Sequence, residues 1–311
     1  MSERPADRVA VVIPCLDEAP TVERVVRDFA DALPGAEIYV FDNASSDGTG
    51  DIARAAGARV VHSPRPGKGN VIRHMCRSVD ADIYILVDGD GTYPASAAPA
   101  LLERFRRDEL DMLVASRLET HDESAFRAFH SVGNRFVSWL ISRLFRTRLT
   151  DVLSGYRIIS RPLIDLVHLR HGGFEVETEL TLQALTKQMS IAETPASYGA
   201  REEGSVSKLN TWRDGFMIAR CILMIFKDYK PLVFFTTLSA LLALAALWSG
   251  SAPVRDFMET RYVLHVPRAI LGASLGILSA VSLAAGLILD TIARMHSETV
   301  ELWKQHFRAR R

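Results

Sequence analysis

From Val9 to about Val114 the sequence alternates short apolar, β-branched runs with amphipathic stretches. The apolar runs read VAVVI, EIYVF, RVV and IYILVD, and the residues between them predict helices over about 20–33, 49–56 and 68–78. This alternation is typical of an α/β fold with a mostly parallel sheet and helices on both faces. Ligands of such sheets bind beyond the carboxyl ends of the strands.

Polar, glycine-containing segments follow the predicted strands at those ends. They are Pro14–Glu18, Asp42–Gly48, Pro66–Gly69 and Asp88–Pro94. In IYILVDGDGTYP, Asp88 and Asp90 follow a buried strand, and Gly89 and Gly91 permit a turn. Paired carboxylates suit Mg²⁺ or Mn²⁺, which prefer oxygen ligands and keep positions open for phosphate. A solvated turn can carry the same residues, but the strand-end position favours a metal site for a nucleotide-diphosphate leaving group.

Other strand-end residues suit a nucleotide. Asp42 is interpreted as a ligand of ribose or base, whereas Asp47 is interpreted as a helix cap. Glu18 is either a ribose ligand or an exposed carboxylate in the first turn of a helix. Lys68, in PGKGN, lacks the full spacing of a P-loop and faces either the nucleotide or solvent.

Cationic residues accumulate after the sheet, several of them beside turn-forming Gly and Ser. They are Arg117, Arg127, Arg135, Arg157, Arg201 and Lys208. Such side chains suit a phosphate acceptor, because Arg holds phosphate oxygens bidentately and Lys acts as a point charge, although each is also a common surface residue.

Acidic residues follow in LTDVLSGYR and FEVETEL. Asp151 is the best candidate for a catalytic base, with capping of the following turn as its alternative role. A phosphate acceptor is mostly ionised at neutral pH, so it needs orientation more than deprotonation. Glu175, Glu177 and Glu179 are spaced by two, which on a helix predicts that they spread over the surface and form no metal site.

Two C-terminal stretches, 231–254 and 269–289, contain no charged residue and are each long enough to cross a hydrocarbon layer. They predict a two-span transmembrane hairpin. Two helices of a soluble domain would each have a polar face, whereas these Leu- and Ala-rich runs have none. Residues 211–226 alternate aromatic and aliphatic with charged side chains, which suits a helix in the membrane interface or one packed on a core.

The charges around this hairpin predict its orientation. Lys and Arg flank both outer ends, so by the positive-inside rule both ends, and the N-terminal α/β part, face the cytoplasm. The formal net charge of zero hides this uneven distribution. No signal peptide is apparent at the N-terminus, and three widely spaced cysteines favour a reducing compartment.

The motifs occur in a fixed order: IPCLDE, FDNASSDGT, GKG, DGDGTYP, ASR, GN, DVLSGYR and REEGSVSK. In this order, residues 8–208 resemble family-2 glycosyltransferases of the polyprenyl-phosphate and dolichol-phosphate sugar synthase type. The C-terminal hairpin is similar to that of the bacterial two-span members. The resemblance implies a GT-A fold, an inverting transfer, and a donor site that depends on Mg²⁺ or Mn²⁺ and binds a nucleotide-sugar, with UDP favoured over GDP.

The resemblance also assigns residues to this reaction. Pro14, Leu16, Glu18 and Asp42 match nucleoside contacts, and Asp88, Gly89 and Asp90 match the nucleotide–metal motif. Arg117, Arg201 and Lys208 match donor-phosphate contacts, whereas Arg127 and Ser131 match acceptor-phosphate contacts. Thr92 stands where relatives can carry Gln as a further metal ligand, and Asp17-Glu18 replaces the usual Asn-Glu.

The sequence thus predicts a cytoplasmic GT-A domain over 1–208 and an amphipathic interface helix over 209–229. A transmembrane hairpin follows over 230–290, with spans at about 231–250 and 268–290, and then a cytoplasmic C-terminal helix or tail over 291–311. The predicted function is inverting transfer of a sugar to a polyprenyl phosphate in cell-envelope glycan synthesis, with Asp90 and Asp151 as catalytic candidates. A homo-oligomer in the inner membrane is expected, with no nucleic-acid partner. The alternatives are a glycan-elongating membrane transferase and a non-catalytic membrane scaffold.

Overall fold

The chain divides into two compact units, Met1–Ile218 and Ala219–Arg311. The computed structural model describes residues 7–117, 125–169, 176–199, 223, 226–227 and 230–308, with side chains left out at 125–133, 296–297 and 299–308.

Seven strands form the sheet of the first unit. They are β1 (Val9–Cys15), β2 (Glu37–Asp42), β3 (Arg59–His62), β4 (Ile83–Leu86), β5 (Met112–Arg117), β6 (Arg157–Ser160) and β7 (Ile191–Ala196). Its helices are α1 (Ala19–Ala32), α2 (Thr49–Ala55), α3 (Lys68–Ser78), α4 (Ala98–Arg107), α5 (Ala125–Phe145), α6 (Arg161–Leu166) and α7 (Val176–Thr186), with a short 3-10 helix at Ala95–Ala97.

The strand order is β3-β2-β1-β4-β6-β5-β7, and β6 alone of these runs antiparallel to its neighbours. The prediction of a mostly parallel α/β sheet is therefore confirmed. Cys15 pairs with Asp42, and Asp42 pairs with His62, so β1, β2 and β3 end at one level. The residues that follow β4 leave the sheet at the same edge, because Leu86 pairs with Val12.

The strands bury both faces, which explains their near-continuous apolar sequences. Along β1, Val11 and Ile13 join the core on one face, and Ala10 and Val12 join the core on the other. The first core also contains the apolar stripe of α1, which ends in Phe29 at 1% exposure. Truncating such a buried Phe typically costs about 3–5 kcal/mol, so this helix is fixed firmly on the sheet.

The second unit contains two long helices, α8 (Pro231–Thr260) and α9 (Val266–Arg308). Both pass the length and hydropathy criteria for a membrane span over Pro231–Thr260 and Val266–Met295, as predicted. They run antiparallel, because Ser239 Oγ lies 2.9 Å from Ser279 Oγ while the Ser249 hydroxyl donates to the Arg268 carbonyl.

The close approach of these helices depends on small residues. A Cβ on Gly286 would lie 2.7 Å from Phe235 Cβ, and one on Gly272 would lie 3.2 Å from the Ala246 carbonyl oxygen. Outward-facing Leu side chains remain exposed, such as Leu244 at 63%. An apolar outer surface around small and hydroxyl-bearing contacts is the pattern of a membrane helix pair.

Both apolar helices are longer than the predicted spans at about 231–250 and 268–290. Pro253 lies inside α8, and residues 291–308 continue α9 as part of the predicted C-terminal helix. Where the spans end within these helices stays a prediction. The boundary at 208 and nearly all of the predicted interface helix lie outside the described residues.

Candidate active site

The loops after β1 and β2 are tied together by hydrogen bonds. The Ser46 amide donates to Asp17 Oδ1 over 2.7 Å, and the Ala19 amide donates to Asp47 Oδ2 over 2.9 Å. Asp47 also accepts the Thr49 amide over 3.0 Å, although Gly48 and not Asp47 holds the N-cap position of α2. Burial acts to raise the pKa of Asp47, but these hydrogen bonds outweigh it and lower the pKa.

The predicted nucleoside contacts lie on these loops. Pro14, Leu16, Glu18 and Asp42 are all half-buried at the carboxyl edge of the sheet. The Glu18 amide donates to Thr49 Oγ1 over 2.9 Å, and Asp42 Oδ1 accepts the Ser45 amide over 3.0 Å. The loops are thereby held in one conformation, whereas the nucleoside contacts themselves stay predictions.

Asn43 fixes the loop that precedes α3, a role that the sequence analysis missed. Its buried side-chain amide donates to the carbonyls of Ser63 and Arg65 over 2.8 and 2.7 Å. Its Oδ1 accepts the Gly67 amide over 2.8 Å. These bonds place Lys68 at the first position of α3, beside the turn that follows β4.

Lys68 lies between two carboxylates. Its Nζ is ion-paired with Asp88 Oδ1 and with Glu177 Oε1, the latter over 2.6 Å. The Lys68 and Glu177 side chains are 11% and 4% exposed, whereas Asp88 is 29% exposed. Burial acts to lower the pKa of Lys68, but the charges of Asp88 and Glu177 raise it above its ordinary value. The ammonium is therefore charged at neutral pH.

This cluster corrects two expectations. The alternative that Lys68 faces solvent is wrong, because its ammonium is buried in an ion pair. The expectation that the glutamates spread over the surface is wrong for Glu177 and Glu179, both of which are buried. Helix α7 is buried at every position from Val176 to Ala184, so glutamates spaced by two along it have no exposed face on which to lie. Glu175 lies outside the described residues.

The turn after β4 is held on both sides. The Thr21 hydroxyl donates to the Gly89 carbonyl over 2.7 Å, and Gly91 adopts a φ of +71° that favours glycine. Asp90 is 4% exposed, and its Oδ1 accepts the Thr92 hydroxyl over 2.6 Å. This contact makes Thr92 a positioning group for Asp90, while its role as a metal ligand stays a prediction.

The residues at this turn fit a divalent cation. Asp88 and Asp90 offer hard oxygen ligands, and Mg²⁺ is commonly held by one or two carboxylates together with substrate phosphates. Among the described residues no group of three or more His, Cys, Asp or Glu has the arrangement of a metal site. Room around Asp88 depends on Gly155, because a Cβ there would collide with the Asp88 carboxylate. Nothing in the sequence around Gly155 predicts this role.

Asp151 is held by Arg117. Arg117 Nε and Nη2 each donate to the Asp151 carboxylate over 2.8 Å, the Arg117 amide donates over 3.1 Å, and Asn134 donates over 2.9 Å. Burial acts to raise the pKa of Asp151, but the hydrogen bonds and charge of Arg117 lower it below the ordinary value. A carboxylate bound in this way is a weak base.

The two roles predicted for Asp151 therefore fare differently. Its described side-chain hydrogen bonds go to Arg117 and Asn134 and none goes to the following turn, so they do not support a capping role. The role of catalytic base stays a prediction that the contacts disfavour. Arg117 is half-buried, with its guanidinium also 5.7 Å from the centre of the Tyr198 ring.

Arg157 supports the LSGY segment and is not available to a phosphate. It is 0% exposed, and its guanidinium donates to the carbonyls of Val152 and Ser154 and to Thr181 Oγ1. Burial lowers the pKa of Arg157. The inclusion of Arg157 among the phosphate-binding cations is thus wrong.

The remaining predicted contacts stay predictions. Arg201 and Lys208 lie outside the described residues, and Arg127 and Ser131 lie on the part of α5 whose side chains are not described. Arg135, on the same helix, is exposed.

The comparisons with known proteins identify the family of this chain. The family model described as "Glycosyl transferase family 2" matches residues 10–166. Glycosyltransferase AglJ of Haloferax volcanii is 28% identical over 95% of this chain and 97% of its own length. The dolichyl-phosphate hexose transferase of the same organism is 27% identical over 72% of this chain and 96% of its own length.

Solved structures show the same GT-A fold. A glucosyl-3-phosphoglycerate synthase from Mycobacterium tuberculosis, in complex with Mn²⁺, UDP and glucosyl-3-phosphoglycerate, superposes with a TM-score of 0.59. It is 21% identical and covers 74% of this chain and 87% of that chain, so the likeness concerns the fold.

Proposed function

This chain belongs to glycosyl transferase family 2, and we propose that it transfers a sugar from a nucleotide-sugar to a polyprenyl phosphate with inversion. The observation that carries the proposal is the ion pair between Lys68 and the strand-end carboxylate Asp88, two residues before Asp90, which is hydrogen-bonded by Thr92. Cation and carboxylates at the carboxyl edge of a parallel sheet suit a nucleoside diphosphate and its counter-ion. The dolichyl-phosphate hexose transferase relative supports a lipid-phosphate acceptor.

On the donor side, Asp88 and Asp90 hold Mg²⁺ or Mn²⁺, with Thr92 as a further candidate ligand. When bound, the cation neutralises charge on the departing diphosphate. Lys68, Arg117, Arg201 and Lys208 contact the donor phosphates, and Pro14, Leu16, Glu18 and Asp42 contact the nucleoside. UDP is favoured, and the UDP and Mn²⁺ of the M. tuberculosis complex are consistent with this choice.

On the acceptor side, the lipid phosphate is already mostly ionised at neutral pH and needs no strong base. One of its oxygens attacks the anomeric carbon while the bond from that carbon to the diphosphate oxygen breaks. The configuration inverts, and the nucleoside diphosphate leaves. Arg127 and Ser131 orient the phosphate, and the pairing of Asp151 with Arg117 fits a reaction without a protein base.

The two apolar helices hold the enzyme in the membrane where its acceptor lies. Both ends of the hairpin face the cytoplasm, which places the transferase domain at the inner face of the cytoplasmic membrane. Residues 209–229 form the interface helix, and the hairpin packs against copies of itself in a homo-oligomer. The product feeds the synthesis of cell-envelope glycans.

Transfer of radiolabelled sugar from UDP-sugars to the lipid fraction tests this function. The double variant Asp88→Ala/Asp90→Ala is expected to abolish transfer, because it removes both proposed cation ligands. The variant Asp165→Asn, which changes an exposed carboxylate on α6, serves as the matched control. Unchanged transfer by the double variant would exclude the assigned site.

A further inference from the structure

Lys68 and Glu177 form a contact that the proposed reaction leaves unexplained. One ammonium is shared between Asp88 Oδ1 and Glu177 Oε1, so these three side chains carry one negative charge in excess, and the buried Arg157 guanidinium is a second cation that interacts with Glu177. The second oxygen of Glu177, Oε2, is buried without a hydrogen-bond partner among the described residues. A buried carboxylate oxygen without a donor is unfavourable, so this arrangement favours the arrival of another donor.

The backbone of Lys68 is fixed at the start of α3. Asn43 binds Gly67, and Lys68 begins α3, so the Cα of Lys68 does not follow a ligand. The ammonium has three donors, and its two described ion pairs engage Asp88 and Glu177. If the ammonium leaves Asp88, Glu177 Oε2 is the next acceptor within reach, because it belongs to the carboxylate that already holds the ammonium through Oε1.

We infer that Lys68 is a built-in placeholder for the divalent cation, and that Glu177 is the positioning residue that keeps it in the site. In the ligand-free enzyme the ammonium neutralises Asp88. When the donor binds with its cation, the cation takes Asp88, and Lys68 turns to both oxygens of Glu177 and to the diphosphate. The inference rests on the proposed donor site and adds an exchange of cations to it.

The exchange predicts how metal and nucleotide binding are coupled. Without nucleotide, the divalent cation must displace the Lys68 ammonium from Asp88 and then lie close to that positive charge. Mn²⁺ alone therefore binds weakly. A nucleoside diphosphate supplies negative charge for both cations, so it strengthens Mn²⁺ binding, and the coupling is reciprocal. Removing the Lys68 charge should therefore strengthen binding of Mn²⁺ alone while weakening the coupling.

Binding of Mn²⁺ to the full-length protein in detergent, followed by loss of the free-ion electron paramagnetic resonance signal, tests this inference. Lys68→Met is expected to bind Mn²⁺ without nucleotide at least about tenfold more tightly than wild type, because a like charge a few ångströms away is removed. Lys68→Arg, which keeps the charge, is expected to bind as weakly as wild type. Glu177→Gln leaves Lys68 on Asp88 and is expected to bind no more tightly.

The double variant Lys68→Met/Glu177→Gln guards against misfolding, because it removes the buried charge that Lys68→Met leaves unpaired. It is also expected to bind Mn²⁺ alone more tightly than wild type. If both variants bind no more tightly than wild type, while UDP still promotes Mn²⁺ binding to wild type, the placeholder is refuted and the donor site stands. If wild type binds no Mn²⁺ with UDP, GDP or dTDP, the proposed donor site itself fails.

Discussion

Replacement of Asp151 by Asn separates a structural role from a catalytic one. The substitution keeps the size of the side chain but removes its charge and turns one acceptor oxygen into an NH₂ group facing Arg117 or Asn134. The structure gives Asp151 four hydrogen bonds, three of them from Arg117. We therefore expect a loss of stability and only a secondary loss of turnover.

The size of the effect follows from burial. Breaking a buried ion pair by removing one partner costs about 3–5 kcal/mol. The Arg117 side chain keeps 31% exposure against 7% for Asp151, so water recovers part of the loss. We expect about 2–3 kcal/mol, which for a unit of this size lowers Tm by roughly 5–10 °C.

Thermal unfolding of the full-length protein in detergent, followed by tryptophan fluorescence, measures this shift. Asp165→Asn is the matched control, because Asp165 pairs with Arg161 at 57% exposure and should change stability by less than about 0.5 kcal/mol. A Tm equal to that of wild type, together with a large loss of kcat, would refute the structural role and establish Asp151 as the base.

Three further outcomes are expected. Gly155→Ala should weaken donor and metal binding about 10- to 100-fold with little change in Tm, since the new Cβ displaces only the carboxylate end of the Asp88 side chain. Gly250→Ala, whose Cβ meets nothing within 4 Å, should leave both binding and Tm unchanged in a titration with UDP-sugar and Mn²⁺. Asn43→Ala should cost about 2–3 kcal/mol in thermal unfolding and raise the donor KM, because it removes three hydrogen bonds to the loop before Lys68, one buried and two partly buried. An unchanged KM would contradict that loop's part in the site. The pKa of Asp151 is lowered on folding, so the stability that its carboxylate contributes is present above the unfolded pKa of about 4 and is lost as pH falls through the folded pKa. The difference in Tm between wild type and Asp151→Asn should therefore persist at neutral pH and disappear only in acid. A difference that disappears near pH 6 would contradict the assignment.

The fold was predictable because its signals are local. Apolar runs and helical stripes lie within single elements, so β1 to β4 and α1 to α3 follow from periodicity alone. The strand-end position of Asp88 and Asp90 followed as well, because a parallel sheet brings its carboxyl ends to one edge. The apolar hairpin required only the length of its uncharged stretches.

The parts that sequence reasoning missed depend on distant contacts. Glu177 meets Lys68 although more than a hundred residues separate them, and no periodicity marks a helix buried on every side. Arg157 has the sequence signature of a phosphate ligand but is committed to backbone carbonyls. Asn43 and Gly155 lie in the motifs DNASSDG and LSGYR, which mark them as loop residues. Their contacts with Gly67 and Asp88 depend on the folded loops and could not be predicted from those motifs.

The central claim is the transfer of a sugar to a lipid phosphate, and the mass of the lipid product tests it most directly. The purified protein would be incubated with Mn²⁺, a panel of UDP-, GDP- and dTDP-sugars, and a polyprenyl monophosphate, pyrophosphate or alcohol in parallel. The account predicts one sugar added to the monophosphate alone, from one class of nucleotide-sugar, and no product from Asp90→Ala. A sugar added to the pyrophosphate or alcohol, or a longer glycan in place of a single sugar, would contradict it.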